Sequence, residues 1–344
     1  MTETLLPTTV VGSYSVPEWL ERAKSDFHEG RISRSSLNEI YDTAIKAALK
    51  DQERAGLDIV SDGELRRDND IDYFLERMPG IELPKLAKVH YYDYYDAAVR
   101  APLPRPEEAP GLRLAADFQF TREQTDRPIK FSFTGPFSLA KRIRNEGYPD
   151  AEGLVLDIAR MLNREARDLA AAGASLLQID EPFLAGYPEA VPLAVKAINL
   201  VVEGVDVEWA VHICYGNRHA RPAWEGHYDF LFPAIMDAHV DQLVLEFARK
   251  GYDDVALFKK YHPSFKLGLG VIDVKTETVE TPEQVAARVD RALGVIDPDR
   301  IVVNPDCGLR HLPTKIALAK LRAMNAGAAL VRARVRGEKI PQLT

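Results

Sequence analysis

The sequence predicts an α/β fold, a (β/α)8 (TIM) barrel forming a single domain over residues 1–344. Three observations point there. Eight short apolar, β-branched runs recur along the chain, and amphipathic helical stretches separate them. Residues able to do chemistry gather just after the runs, where a barrel places its C-terminal loops. Unbroken apolar runs are expected of parallel strands covered on both faces. A doubly wound open sheet shares this alternation, but no Gly-x-Gly-x-x-Gly follows the first run.

In order, the strand candidates are residues 8–11, 58–61, 129–133, 176–179, 208–212, 242–246, 266–271 and 300–303. The first helix candidate, 37–55, places Leu37, Ile40, Tyr41, Ala44, Ile45 and Ala48 on one stripe at helical spacing. Residues 154–171, 191–202, 228–237, 255–261, 282–296 and 314–326 read the same way. Ser36 and Thr281 are N-cap candidates, with Pro282 suited to the first turn. Residues 80–128 fit no strand–helix unit. They hold Tyr91-Tyr92-Asp93-Tyr94-Tyr95 and a proline-rich stretch from Pro102 to Pro110, and are expected to form an insertion after the second strand that contains a hairpin. The tyrosine run suits stacking on a flat ligand, packing of the insertion, or a contact in a homodimer.

Composition narrows the partners. The net charge is −8, with acids and bases interspersed, so no basic stripe suggests nucleic acid. No run approaches the ~18 apolar residues of a membrane span, and the N-terminus lacks a signal-peptide pattern. A soluble, cytoplasmic protein is expected. Its two cysteines, Cys214 and Cys307, are too few for a disulfide framework.

Reading the strand ends gives Gly12-Ser13, Asp62-Gly63-Glu64, Thr134-Gly135-Pro136, Asp180-Glu181-Pro182, His212 with Cys214, Glu246, Asp273 with Lys275, and Asn304, Asp306 and Cys307. His212, Cys214, Glu246 and Cys307 form a candidate Zn2+ set, two thiolates suiting a site that handles sulfur. His-x-Cys places both side chains on one face of a strand; a core histidine beside a buried thiol gives the same pattern. His311 is the substitute ligand. Glu64, Asp180 and Glu181, near Arg66 and Arg67, could receive the ammonium of an amino acid while backbone amides at Gly12-Ser13 take its carboxylate. A structural ion-pair network is the competing explanation.

At these residues the chain resembles the catalytic domain of the cobalamin-independent methionine synthase family over nearly its whole length. Thr8-Thr9-Val10-Val11-Gly12-Ser13 is similar to the family's opening strand and homocysteine-carboxylate loop. The stretch from Gly56 to Glu64, with Arg67 and Tyr73-Phe74, resembles a second motif, and Gln178-Ile179-Asp180-Glu181-Pro182 a third. The resemblance implies a zinc-dependent homocysteine S-methyltransferase of methionine biosynthesis. In it Glu64 and Asp180 bind the substrate, and His212, Cys214, Glu246 and Cys307 bind zinc. The chain is closest in pattern to short members without an additional N-terminal barrel. Two departures concern the donor: Lys275 stands where folate-dependent members carry a proton-donating histidine, and residues 131–139 lack a folate-packing tryptophan. A methylated corrinoid protein or methylcobalamin is therefore the expected donor, ahead of methyl-folate. A coenzyme M alkyltransferase and a non-catalytic zinc-binding protein are the alternatives. The first takes a substrate without the amino group that Glu64 and Asp180 suit.

Overall fold

The computed structural model describes residues 4–84 and 88–339. Six parallel strands form one continuous sheet in chain order: Phe131–Thr134, Leu176–Asp180, Glu208–Ile213, Gln242–Leu245, Lys266–Ile272 and Ile301–Pro305. The first two predicted strands complete the ring as single bridges, Thr8 with Val303 and Val60 with Ile129. The fold is a TIM barrel.

The ladders at residues 8–11 and 58–61 are shorter than the sequence predicts, and the cause is local. The Thr8 carbonyl accepts from both Asp58 and Ile59 N–H, each at 3.1 Å, so the strands cannot advance one residue for one. Side chains close the seam instead. Asp58 Oδ2 accepts from Thr8 N–H and Thr8 Oγ1, both at 2.8 Å, and from Arg332 on the last helix.

Helices cover the ring. Ser33, rather than Ser36, caps the helix Arg34–Ala55, accepting from Ser36 N–H at 3.1 Å. Gly56 ends it with φ 81°, a left-handed turn that glycine enters without strain. Ala151–Ala171, Val191–Val202, Ala256–Tyr261, Pro282–Leu293 and Thr314–Val335 follow. Thr281 makes a full capping box with Gln284. The predicted helix 228–237 is two 3-10 turns, Tyr228–Leu231 and Ala234–Asp237, because Pro233 interrupts any helical ladder. Helices Glu18–His28 and Leu114–Arg122 escaped the sequence reading.

Within residues 80–128, of which 85–87 lie outside the described residues, Ile81–Glu82 pairs antiparallel with Ala97–Val99. The third strand of this small sheet comes from beyond that stretch. Ile143–Asn145, after the third barrel strand, runs parallel to Ala97–Val99. Tyr91 and Tyr92 are buried within the chain, so the tyrosine run packs on its own barrel.

The Asp58 seam generates a prediction. Asp58→Ala leaves Arg332 and Thr8 without their shared acceptor and should cost about 2–3 kcal/mol. Urea unfolding followed by circular dichroism measures it; an unchanged midpoint would show that the seam contributes nothing.

Candidate active site

Strand alternation decides which side chains meet. Ala210 and Val244 pack with Val11 inside the barrel, so the residues in register with them face inward too. His212 and Cys214 follow Ala210 at spacings of two. Cys307 comes from the loop after Ile301–Pro305. Ligand atoms of His212, Cys214 and Cys307 all lie within 4.8 Å of one another, and the two sulfurs are 3.5 Å apart. Sulfurs bound at about 2.3 Å to one tetrahedral zinc would sit roughly 3.8 Å apart, so the pair fits a zinc ion with little adjustment. The histidine fits as well. Its Nδ1 lies 3.1 Å from the Val244 carbonyl, which fixes Nδ1 as the protonated nitrogen. Nε2 is then a buried lone pair without a hydrogen-bond partner among the described residues. The Cys307 thiol pKa is raised, first by Cys214 beside it and then by burial. A bound cation would reverse that balance.

Glu246, the fourth expected ligand, is fully buried nearby but is not part of the trio. Its Oε1 accepts from Arg249 Nε at 2.9 Å and its Oε2 from Lys275 Nζ at 3.1 Å. Burial works against the charge on Lys275, yet Glu246, Cys307 and Cys214 together raise its pKa. Lys275 is therefore a cation locked to Glu246. Asp306 anchors this loop from below, accepting N–H groups of Phe247, Ala248 and Arg249 at 2.8–2.9 Å. Its pKa is raised by burial and by Glu246.

The carboxylates occupy the neighbouring third of the rim. Glu64 adopts φ 57°, an unusual conformation for a residue with a side chain, held by its N–H donating to Asp62 Oδ1 at 2.9 Å. Its carboxylate accepts from Ser132 Oγ at 2.7 Å and pairs with Arg67 at 3.3 Å. It also lies over Gly12, where a Cβ would collide with it. Asp180 Oδ1 accepts from Gln178 at 2.7 Å, and burial raises its pKa. Glu181 points the other way. It caps the helix Pro136–Ala140, accepting from Phe137 and Ser138 N–H at 3.1 and 2.8 Å, and burial lifts its pKa to about 7. Glu181 and Asp306 serve the scaffold through backbone N–H groups rather than ion pairs, whereas Glu64, paired with Arg67, and Asp180 open onto a cavity.

That cavity, about 300 Å3, joins Ser13, Glu64, Asp180, His212, Cys214 and Cys307. Gly12 lies just behind its wall, under Glu64. In the outer wall, Tyr92 and Tyr94 come from the run that the sequence offers for stacking, packing or a dimer contact, whereas Arg142, Arg218, Arg310 and Trp224 were not assigned from sequence. Each arginine lies over a tyrosine ring, Arg218 and Arg142 within 4.5 Å of the Tyr94 centroid and Arg310 at 5.0 Å from that of Tyr92. The tyrosine run was the available signal, although nothing in the sequence placed it over this rim. His311 lines the same wall and lies outside the metal trio. A wider cleft of about 720 Å3, beside the helix Arg34–Ala55, contains none of the cavity's site residues. No helix among the described residues is long and apolar enough to cross a membrane.

Comparison with known proteins agrees with this arrangement. Residues 6–330 match the family model described as the catalytic domain of cobalamin-independent synthase. The methionine synthase of Sulfurisphaera tokodaii is 36% identical over 331 residues, covering 95% of this chain and 93% of that one. That of Saccharolobus islandicus is 37% identical over the same length. Among solved structures, a B12-independent methionine synthase from Shewanella sp. W3-18-1 in complex with selenomethionine superposes with a TM-score of 0.84 at 30% identity, covering 97% of this chain and all of that one. The chain belongs to the cobalamin-independent methionine synthase family and is a homocysteine methyltransferase that forms methionine.

Proposed function

We propose that the enzyme is zinc-dependent, with His212, Cys214 and Cys307 holding the ion and Glu246 within reach as a fourth ligand. The observation that carries this reading is the convergence of two sulfurs and an unpartnered imidazole nitrogen within 4.8 Å at the floor of the cavity. When bound, zinc supplies a lowered thiol pKa, so that the substrate sulfur is a thiolate at neutral pH. The chain's own residues orient that sulfur. Glu64 and Asp180 take the amino-acid ammonium, and the Gly12-Ser13 backbone takes its carboxylate. Binding of selenomethionine, the selenium counterpart of the product, by the Shewanella relative supports an amino-acid pocket here. Methyl transfer then needs in-line approach from the cavity mouth, so catalysis is activation plus positioning. Lys275, held by Glu246, is assigned the role of keeping that carboxylate turned from the trio until it is needed.

The donor proposed is a methylated corrinoid, free or protein-bound. A cavity of about 300 Å3 has room for the amino acid and a reacting methyl group, so the donor presents its methyl from outside. Lys275 is committed to Glu246 at 3.1 Å and stands where a folate-dependent enzyme would place its proton donor. Methyl-folate is the second reading, favoured by the aromatic wall of Tyr92, Tyr94 and Trp224.

Three outcomes are expected. Cys307→Ser should lower zinc stoichiometry and reduce methionine formation more than about a hundredfold, beyond the 10- to 100-fold typical of outer-shell changes; unchanged metal content and homocysteine binding would sink the metal assignment. Asp180→Asn should weaken homocysteine binding by about 1.5–3 kcal/mol, or roughly 10- to 150-fold, through loss of a charge-assisted hydrogen bond. Calorimetry on the zinc-loaded protein reads that change. In a methionine-formation assay, methylcobalamin should outperform methyl-tetrahydrofolate and its polyglutamates; efficient turnover with folate would reverse the donor assignment.

A further inference from the structure

Strand register does not set the distance between the two sulfurs. Cys214 leaves the strand Glu208–Ile213 and Cys307 the strand Ile301–Pro305, and two further strands stand between them. Neighbouring strands lie about 4.8 Å apart, so three such steps leave the strand ends wider than the reach of one zinc ion. Sulfurs at 3.5 Å therefore depend on how the two loops hold each other.

Each loop is braced on its own side. That of Cys214 closes on itself, the Tyr215 carbonyl accepting from Ala223 and Trp224 N–H at 2.7 and 3.1 Å. Gly216, at φ 83°, makes the reversal, and a Cβ there would stand 2.9 Å from that of Ala223. In the Cys307 loop, Asp306 N–H donates to the Ile272 carbonyl and Leu309 N–H to the Ser13 carbonyl, both at 2.9 Å. Gly308 packs on Ser13 so closely that a Cβ would collide with its Oγ.

Asn217 joins the two loops. Its Nδ2 donates to the Gly308 carbonyl at 2.9 Å, three residues after one cysteine and directly beside the other. Both residues line the cavity. The amide oxygen is buried without a partner among the described residues, so the bond to Gly308 is what orients the side chain. A second link, His219 N–H to His311 Nε2 at 3.2 Å, lies farther from the sulfurs and is exposed.

We infer, on the zinc reading of the trio, that Asn217 is a positioning residue for the metal site: its hydrogen bond to Gly308 holds the Cys214 and Cys307 loops at the separation that one shared ion requires. Asn217 itself has no contact with the ion. Without its N–H the Gly308 carbonyl loses its donor, and the two thiols are no longer held as a pair.

The test uses two probes on metal-stripped protein. One is zinc, titrated against a chromophoric chelator. The other is phenylarsine oxide, which joins two close thiols through one arsenic with loss of water. Asn217→Leu and Asn217→Ala should each bind zinc about tenfold more weakly, the scale of changes just outside a ligand set, and lose the arsenical by a similar factor. Asn199→Leu removes a comparable brace outside the cavity, Asn199 Nδ2 to the Asp237 carbonyl at 2.8 Å, and should leave both probes within about twofold. Affinities within about threefold of wild type in both Asn217 variants overturn the inference. So does equal weakening by Asn199→Leu, or failure of both Asn217 variants to fold. A wild-type protein that captures the arsenical but not zinc sinks the zinc reading alone, and the arsenical then decides the role of Asn217. One that captures neither sinks both.

Discussion

Buried charge is the constraint around which this barrel mouth is built. Carboxylates, thiols, lysines and arginines converge at the strand ends, and most are almost wholly removed from solvent. Each must find a counter-charge, a ring of N–H donors or an ion, because an isolated charge in such surroundings is costly. The architecture supplies these partners by position. Every strand delivers inward side chains at intervals of two residues, and neighbouring strands in register bring Asp180 beside His212. Outside the ring the same constraint is met with backbone amides, as at Glu181 and Asp306.

The two acid-rich motifs show how similar residues diverge by orientation. Asp180 and Glu181 are adjacent, yet one faces the cavity and the other caps a short helix. Adjacent residues on a strand face opposite ways, so a pair of acids at a strand end divides its labour between site and scaffold. Asp306 and Cys307 repeat this division: the aspartate fixes the Glu246 loop, and the cysteine joins the trio. An acid beside a site residue is in both cases what holds the neighbouring loop still.

Much of this was legible in the sequence because it depends on spacing. Alternation gave the barrel, and the strand ends gave His212, Cys214, Cys307, Glu64 and Asp180. What was not legible depends on long-range packing. The shortened ladders at Thr8 and Val60 follow from one carbonyl that serves two amides. The engagement of Glu246 with Lys275 and Arg249 joins two different loops. The wall of Tyr92, Tyr94, Arg142, Arg218 and Arg310 joins four segments, and no periodicity connects them. The third strand of the small sheet, Ile143–Asn145, came from outside the stretch that looked like an insertion.

The approach of Cys214 and Cys307 has a consequence beyond ligation. Their sulfurs are 3.5 Å apart with no bond between them, whereas a disulfide requires about 2.05 Å. Two-electron oxidation across that gap would stitch strands 93 residues apart and remove both soft donors in one event. An ion shared by the sulfurs would occupy the lone pairs that an oxidant attacks. The chemistry that readies this enzyme for a sulfur substrate would also serve as its shelter from air, and the protein stripped of metal would be the form most in need of a reducing environment.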